Sequence, residues 1–353
     1  MRKITDILIL LALVIFSACT KVETQEAGDK ISYVVGRYAS TKAEFPEFRS
    51  AEGLEQFHSM AFVHNRGEAA GLLYFESDVI WNGEIWDTDH DYFWPKHPAT
   101  FVNFVSWYAS AGITLTEVSE TSFRVTRQIA ATDKLLVADE AWRQTANTNT
   151  YYTHGVPTLF RHVLSEVALN MCVTTTEDAT SKYSVRLQEV TLSGFYTTGS
   201  MSLRNEDPGV AGTKKWTSSG AITLLWTPAS GTNTTPLTIL DSDTALTTTP
   251  SSVMALRSFL PQNLGDGVVL NILYTVENRK KSDNSLISSE NDIPATVVLN
   301  TVKNTSSIAI NQWVPNKRYT YTIAINPVSQ EILLEPTLET DWTFEDHINT
   351  TVE

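Results

Sequence analysis

The amino-acid sequence predicts an all-β protein built from two tandem β-sandwiches. Threonine and serine are abundant, and runs of valine, isoleucine, tyrosine, tryptophan and phenylalanine recur, which is the composition of strands. These runs are short, and turn signals separate them about every 8–12 residues, as in sandwich domains. The length of 353 residues suggests about two domains, each large enough to bury a core.

The N-terminus has the pattern of a lipoprotein signal peptide. Arg2 and Lys3 supply positive charge, and residues 7–16 form an apolar run that is too short to span a bilayer. Small residues then precede Cys19, where a lipoprotein signal peptidase would cleave. We expect residues 1–18 to be removed and Cys19 to be diacylated, which would anchor the chain in a membrane. An ordinary secretory signal with an incidental cysteine is the alternative.

Charge and cysteine content limit the possible partners of the processed chain. The formal net charge of −14 argues against binding to nucleic acid or to an anionic membrane surface. Cys172 would be the one cysteine left beside the lipidated one, which excludes an intramolecular disulfide and a cysteine-based metal site. Its neighbours are apolar, so we expect a buried structural thiol. No later stretch is long and apolar enough to cross a membrane.

Strand candidates run through the first half of the chain. They are residues 31–35, 60–63, 72–75 and 101–108, the last apolar on both faces. Residues 156–173 change period: apolar residues at 159–164 fall at helical spacing for one or two turns, whereas residues 167–173 alternate as a strand. The polar stretch from Thr174 to Lys182 marks the predicted boundary between an N-terminal sandwich (50–180) and a C-terminal sandwich (181–353).

The second half repeats this organisation. Strand candidates are residues 185–187, 190–192, 221–226, 268–276, 319–325 and 332–334. The clearest is 319–325, where apolar residues from Tyr319 to Ile325 alternate with polar or small ones. Pro315-Asn316 predicts a turn before it and Asn326-Pro327 a turn after it.

No sequence motif predicts an active site. The run from Asp87 to Asp91 opens like a calcium-binding loop, but its sixth and twelfth positions are Tyr92 and Pro98, so a solvated acidic turn is favoured. His162 precedes an alternating strand and is expected to be a hydrogen-bonded structural residue. Nucleophile, phosphate-loop and dinucleotide motifs are absent from the sequence. We therefore expect no enzymatic activity, no metal and no cofactor. The many aromatic residues are expected to fill the cores, with a sugar-stacking platform as the alternative.

Six blocks, in chain order, are similar to the blocks of one family. They are Ile31-Ser32-Tyr33 with Thr41-Lys42-Ala43, Tyr92-Phe93-Trp94-Pro95, residues 102–109, residues 159–167, Phe259-Leu260-Pro261-Gln262, and Tyr319 to Ile323 continuing to Trp342. Through them the chain resembles the fimbrillin family, the type V pilins and Mfa/FimA-like lipoproteins of Bacteroidales. Each block alone has low specificity, and their common order carries the resemblance.

The resemblance implies a fold and a maturation route. Both domains would be transthyretin-like, Greek-key β-sandwiches. The precursor would be lipidated at Cys19 and carried to the cell outer membrane with residues 19–49 as a propeptide. A trypsin-like, arginine-specific protease would then cut behind the first strand. Arg49 lies in a polar segment and is the preferred site, Arg37 remains open, and Lys42 would require a looser specificity.

The resemblance also implies assembly. Loss of the first strand would leave unpaired backbone groups, and an extended segment of another pilin subunit could fill the groove in a cell-surface fimbrium that supports adhesion. The donor would come from the C-terminal part, residues 332–353, whose sparse apolar pattern leaves stalk, tip and anchor roles open. A host or bacterial surface receptor is a further expected partner. The alternative function is a surface glycan-binding outer-membrane lipoprotein. A lipoprotein enzyme would need an acid/base pair that the sequence does not reveal.

Overall fold

The computed structural model describes residues 30–37, 54–65, 71–95, 100–127, 133–138, 141–144, 155–202, 226–228, 236–265, 267–300 and 310–341. Cys19, Lys42 and Arg49 lie outside these ranges. Every regular element within them is a strand, which confirms the predicted all-β class. In this part of the chain there is no helix with the length and hydropathy needed to cross a membrane.

The strands are numbered here in chain order. The first half contains β1 (Tyr33–Arg37), β2 (Gln56–Asn65), β3 (Leu72–Trp81), β4 (Trp86–Thr88), β5 (Thr100–Ala109), β6 (Ile113–Thr116), β7 (Ser122–Arg127), β8 (Leu135–Ala138), β9 (Ala141–Gln144), β10 (Val156–His162) and β11 (Ser165–Val173). The second half contains β12 (Ser181–Ser193), β13 (Thr198–Ser202), β14 (Trp226–Pro228), β15 (Leu237–Leu240), β16 (Thr244–Ala245), β17 (Ser251–Phe259), β18 (Gln262–Asn263), β19 (Val269–Lys280), β20 (Leu286–Val298), β21 (Gln312–Trp313), β22 (Lys317–Ile325) and β23 (Ile332–Asp341).

The first sheet closes on itself. Its strand order is β2-β3-β4-β1-β10-β8-β5-β9, and β2 also pairs antiparallel with β5 from His58↔Trp107 to Asn65↔Thr100. The strands β2, β3, β4, β1, β10, β8 and β5 therefore form a ring. The inward-facing side chains of this ring build a core of their own, which contains Tyr33, Phe57, Trp86, Phe104 and Phe160. A strand inside a ring has a neighbour on each side, so none of these seven strands is a simple sheet edge.

The second half forms a sandwich. A four-stranded sheet, β17-β11-β22-β23, packs across a shared core against a five-stranded sheet in which β15-β12-β19-β20 is the main path. The core includes buried Val167, Leu187, Ile272, Trp313 and Tyr321. The alternation predicted for residues 319–325 is confirmed, because Tyr319, Tyr321, Ile323 and Ile325 are all buried in β22.

A third core joins the ring to the rest of the chain. The four-stranded sheet β14-β13-β7-β6 lies on the outer face of the ring, where Phe62 of β2 and Trp107 of β5 pack with Phe123 of β7. Val163, Leu164 and Leu260 belong to the same cluster. The division predicted at residue 180 stays a prediction; β11 precedes it and pairs with β17 and β22, which follow it.

The helical spacing predicted at residues 159–164 is wrong. Residues 156–162 form strand β10, which lies between β1 and β8 in the ring. Phe160 packs inside the ring, whereas Val163 and Leu164, just beyond β10, pack in the third core. The chain here passes from one core to another, so its apolar residues do not follow the simple alternation of a half-buried strand.

Two local predictions are confirmed. Cys172 is buried on β11, as expected for a structural thiol. The turns that flank β22 are present: Asn316 has a φ of 60°, and the side-chain oxygen of Asn326 accepts hydrogen bonds from the backbone N–H groups of Val328 and Ser329. Asparagine suits both sites because its short amide tolerates left-handed backbone and bonds to the following turn.

Candidate functional site

The first strand occupies an interior position of the ring, between β4 and β10. It runs parallel to β10 over five residue pairs, from Tyr33↔Val156 to Arg37↔Phe160. On its other side it has one residue pair with β4, Tyr33↔Trp86, and the N–H of Ile31 donates to the carbonyl of Tyr92 at 2.8 Å. We call the space between β4 and β10 that residues 30–37 fill the β1 slot.

The side chains of the first strand alternate between the core and the outside. Ile31, Tyr33 and Val35 are buried inside the ring, whereas Val34 is 40% exposed on the outer face. Burying a large apolar side chain contributes about 1.5–3 kcal/mol, so the three inward residues together hold the strand more firmly than its short ladder does. Parallel pairing is also slightly weaker per residue than antiparallel pairing. The strand is therefore held chiefly by its side chains.

Tyr33 is at the centre of the slot. Its ring meets Phe57 of β2 edge-on, with ring centroids 5.5 Å apart, and Phe104 of β5 at 5.9 Å. Its hydroxyl donates to Oγ of Ser59 at 3.0 Å, and Ser59 shares a 2.8 Å hydrogen bond with Ser106. Burial raises the pKa of the Tyr33 phenol above its ordinary value, so the hydroxyl stays protonated and can donate.

An ion pair fastens the start of the strand. Nζ of Lys30 lies 2.6 Å from a carboxylate oxygen of Asp87 and 2.7 Å from one of Asp91. These hydrogen bonds raise the pKa of Lys30. Because the ammonium is partly exposed, the contribution to stability is small, about 0–1 kcal/mol. Asp87 of β4 and Asp91 of the turn that follows it thus bind the N-terminal end of the first strand.

Gly155 lets the first strand lie close to the start of β10. Its φ is +90°, a conformation that glycine adopts without steric cost. A Cβ at this position would lie 3.0 Å from Val34 Cγ2 and 3.1 Å from the carbonyl carbon of Tyr33. The N–H of the next residue, Val156, donates to the carbonyl of Ser32 at 2.7 Å. A side chain here would push on the backbone of whichever strand fills the slot.

The residues singled out in the sequence have different places in the structure. Arg37 is the last residue of β1, so a cut behind it, or behind Arg49, would separate β1 from β2. Cys19 and Arg49 lie outside the described residues. His162 is buried in β10. No group of three or more metal-ligating side chains occurs among the residues that the structure describes.

The described tryptophans mostly lie in the cores. Trp86, Trp94, Trp107 and Trp313 are buried, and Trp81 is partly buried beside the core inside the ring. The large aromatic side chain that is exposed among the described residues is Tyr74, at 41%. This distribution agrees with the expectation that the aromatic residues fill the cores.

Ser59 and Ser106 were not predicted from the sequence. Both occupy inward positions, Ser59 between Phe57 and Ala61 and Ser106 beyond Phe104, where an apolar residue would be expected. A polar residue on the apolar face of a strand signals a buried hydrogen bond, since an unpaired hydroxyl in a core is costly. These two serines on apolar strand faces are visible in the sequence, but the sequence does not indicate which residues they bond.

A protein-family model shows to which family this chain belongs. A fimbrillin-like family model matches residues 23–342, which include every strand of the structure. The chain belongs to the fimbrillin-like family. No curated protein matches this fimbrillin-like chain.

Solved structures with similarity to this fimbrillin-like protein come from Bacteroides and Porphyromonas. A fimbrial protein from Bacteroides vulgatus is 16% identical, with a TM-score of 0.54, over 89% of this chain and 99% of that chain. The fimbrial anchor protein Mfa2 from Porphyromonas gingivalis is 11% identical, with a TM-score of 0.36, over 88% of this chain and 97% of that chain. At 16% identity the similarity to the first of these structures shows a shared fold.

Proposed function

We propose that this protein is a subunit of a cell-surface fimbria that supports adhesion and assembles by donor-strand exchange. The observation that carries the proposal is the interior position of β1, between β4 and β10 in a closed ring. Its removal would create two facing sheet edges beside an emptied stretch of core. Such edges bind an extended segment through main-chain hydrogen bonds. Family membership and the fold shared with a fimbrial protein support the same role.

The proposed maturation begins with export. Residues 1–18 act as the signal peptide, Cys19 is diacylated, and residues 19–49 form the propeptide that contains β1. The lipid anchors the precursor in the outer membrane, and a trypsin-like, arginine-specific protease cuts behind Arg49 or Arg37. Because the backbone of Arg37 is in register with Phe160 in the β1–β10 ladder, Arg49 remains the preferred site. Another pilin subunit then supplies a strand.

Strand release and refilling test the proposal. The purified precursor is cut briefly with trypsin, the protease is inhibited, and a fluorescent synthetic peptide with the sequence of residues 30–37 is added. We expect the cut chain to bind the peptide and the uncut chain to exclude it. Trypsin also cuts after lysine, so the triple variant Arg37→Gln/Lys42→Gln/Arg49→Gln should resist the cut and stay closed. The control Arg186→Gln, which changes an exposed arginine paired with Asp243, should behave as the wild type.

Two outcomes would contradict the proposal. One is a chain that trypsin cuts at neither arginine; the other is a cut chain that binds no strand peptide and is retained by a polysaccharide column, as a glycan-binding lipoprotein would be. Lipidation has its own test, which is incorporation of a palmitate analogue in cells. The variant Cys19→Ala should lose both the label and the membrane association of the precursor.

A further inference from the structure

The side chain of Tyr33 reaches the opposite wall of the ring. In the strand order, β3 and β4 separate β1 from β2, and β10 and β8 separate it from β5. Tyr33 nevertheless contacts Phe57 and Ser59 on β2 and Phe104 on β5. A strand in the slot can therefore bind both its neighbours and the far side of the core.

The far wall has the shape and chemistry of a phenol site. Phe57 and Phe104 meet the Tyr33 ring at 80° and 84°, the edge-to-face geometry that aromatic rings prefer. Beyond the ring, Ser59 is fully buried and Ser106 is 2% exposed. Ser59 accepts the phenol hydrogen and is bonded to Ser106, so the hydroxyl of tyrosine joins a short polar chain in an otherwise apolar interior.

We propose that the β1 slot selects an incoming strand that carries a tyrosine at the position of Tyr33. Ser59 and Ser106 recognise the hydroxyl of this tyrosine. This inference rests on the proposed function and names the partner of the exchange. The preferred strand has the pattern apolar-x-Tyr-x-apolar, in which the residues that replace Ser32 and Val34 face outward and are not selected. Removing one neutral hydrogen bond in a buried site weakens binding about tenfold, and losing the ring as well weakens it at least about a hundredfold.

The same requirement excludes one donor. Residues 332–353 contain no tyrosine, and residues 332–341 already pair with β22 as β23. A second copy that offered this segment would leave the serine pair without a phenol. We therefore infer that the strand that fills the slot is a tyrosine-bearing segment and not the 332–353 segment of another copy.

Peptide competition on the cut full-length chain tests the selection. The probe peptides carry the sequence of residues 30–37, unchanged or with Tyr33→Phe, Tyr33→Ala or Ser32→Ala, and a fifth peptide spans residues 332–353. We expect the phenylalanine peptide to bind about tenfold more weakly and the alanine peptide at least about a hundredfold more weakly. The Ser32→Ala peptide removes an outward hydroxyl from the same strand and should bind within about twofold of the unchanged one.

The protein variant Ser59→Ala completes the test. In this variant the tenfold preference for tyrosine over phenylalanine should fall to about one, because the acceptor is gone. If phenylalanine and tyrosine peptides bind equally to the wild type, if the ratio survives in Ser59→Ala, or if the 332–353 peptide binds as tightly as the unchanged one, the selection is wrong while strand exchange stands. If the cut chain binds no peptide at all, the proposed exchange fails, and the selection with it.

A measurement on the uncut chain covers the case in which a cut variant does not stay folded. The thermal unfolding of Tyr33→Phe, Ser59→Ala and the double variant forms a cycle. The double variant should be less destabilised than the two single variants combined, which reports the Tyr33–Ser59 interaction directly. If the two substitutions lower the stability additively, Ser59 does not recognise the hydroxyl of Tyr33, and the proposal is wrong.

Discussion

Gly155 determines how closely a strand can approach the beginning of β10. Two effects combine at this residue: a backbone φ of +90°, which strains other residues, and close contact with the backbone of β1. Gly83 has a similar φ of +106°, but a Cβ there would meet no atom within 4 Å. Comparing substitutions at Gly155 and Gly83 therefore distinguishes the effect of backbone strain from the effect of steric crowding.

We predict that Gly155→Ala destabilises the precursor by about 1–3 kcal/mol and accelerates the loss of the first strand after the trypsin cut. The measurement is the dissociation rate of the N-terminal fragment that contains residues 30–37 from the cut chain. Gly83→Ala carries the strain alone and should leave that rate unchanged. Equal rates in the two variants would show that Gly155 does not control the approach of the strand.

Asp178 shapes the turn between β11 and β12. Its carboxylate accepts hydrogen bonds from the Tyr183 hydroxyl at 2.6 Å and from the backbone N–H groups of Thr180 and Ser181. These bonds, that of Tyr183 first, lower the pKa of Asp178 from 3.8 to about 2. A carboxyl whose pKa is lower in the folded chain stabilises it above the unfolded pKa, and this stabilisation is lost as the pH falls through the folded pKa.

We therefore expect the stability supplied by Asp178 to be present above about pH 4 and to disappear between about pH 4 and pH 2. The wild type should lose thermal stability more steeply over this range than Asp178→Asn. Asp241→Asn, an exposed aspartate of another turn, is the control and should follow the wild-type curve. Parallel curves for the wild type and Asp178→Asn would contradict the assignment.

At the scale of elements, β11 and β22 are joined by a buried ion pair. The two strands are parallel, with Glu166 in register with Arg318, and Nε of Arg318 donates to Glu166 at 2.6 Å. Their side chains are 8% and 7% exposed. A buried pair of this kind contributes little net stability, but breaking it leaves a charge in the core.

We predict that Arg318→Met alone lowers the free energy of unfolding by about 3–5 kcal/mol, because the Glu166 carboxylate stays buried without its guanidinium. The double variant Glu166→Leu/Arg318→Met should recover most of that loss. Urea unfolding measures both. Arg186→Met breaks an exposed, solvent-screened pair and should leave the free energy of unfolding close to that of the wild type. A double variant no more stable than the single one would contradict this account.

The strands of this fold were largely predictable, and the reasons are physical. Residues 319–325 have one face in the core, so their alternation predicted β22 correctly. Residues 156–162 lie where the chain passes between two cores, and their pattern suggested helical turns instead of β10. The spacing of apolar residues along the sequence indicates which positions are buried. That spacing distinguishes a strand from a helix only when one face of the element is exposed.

The candidate site was predictable only in part. The first strand and the arginines behind it could be named from the sequence, because strand composition and position are local properties. The parallel pairing of β1 with β10, across more than 100 residues of sequence, could not be named. The hydrogen bonds that join Tyr33, Ser59 and Ser106 could not be predicted either, because these residues come into contact only in the closed ring.

At the scale of the whole molecule, the third core couples the ring to the sandwich. Leu260, which follows β17, packs with Trp107 and Phe123, and the hydroxyl of Ser258 donates to the carbonyl of Asp133 at 2.7 Å. These contacts connect a strand of the sandwich to the chain just before β8 of the ring. Loss of the first strand would weaken the ring directly and the sandwich indirectly, through contacts such as these.

We predict that Leu260→Ala separates the unfolding of the two parts. The leucine is 2% exposed, so its removal should cost about 2–5 kcal/mol, and the loss falls on the contact between the parts. Hydrogen exchange should then show the amides of β2 and β5 exchanging well before those of β19 and β22, whereas in the wild type they should exchange together. Leu270→Ala removes a similarly buried leucine from within the sandwich core. Because this variant weakens the sandwich itself, the amides of β19 and β22 should exchange before those of β2 and β5. If Leu260→Ala lowers protection evenly across both parts, the ring and the sandwich still unfold together, and the third core is not the element that couples them.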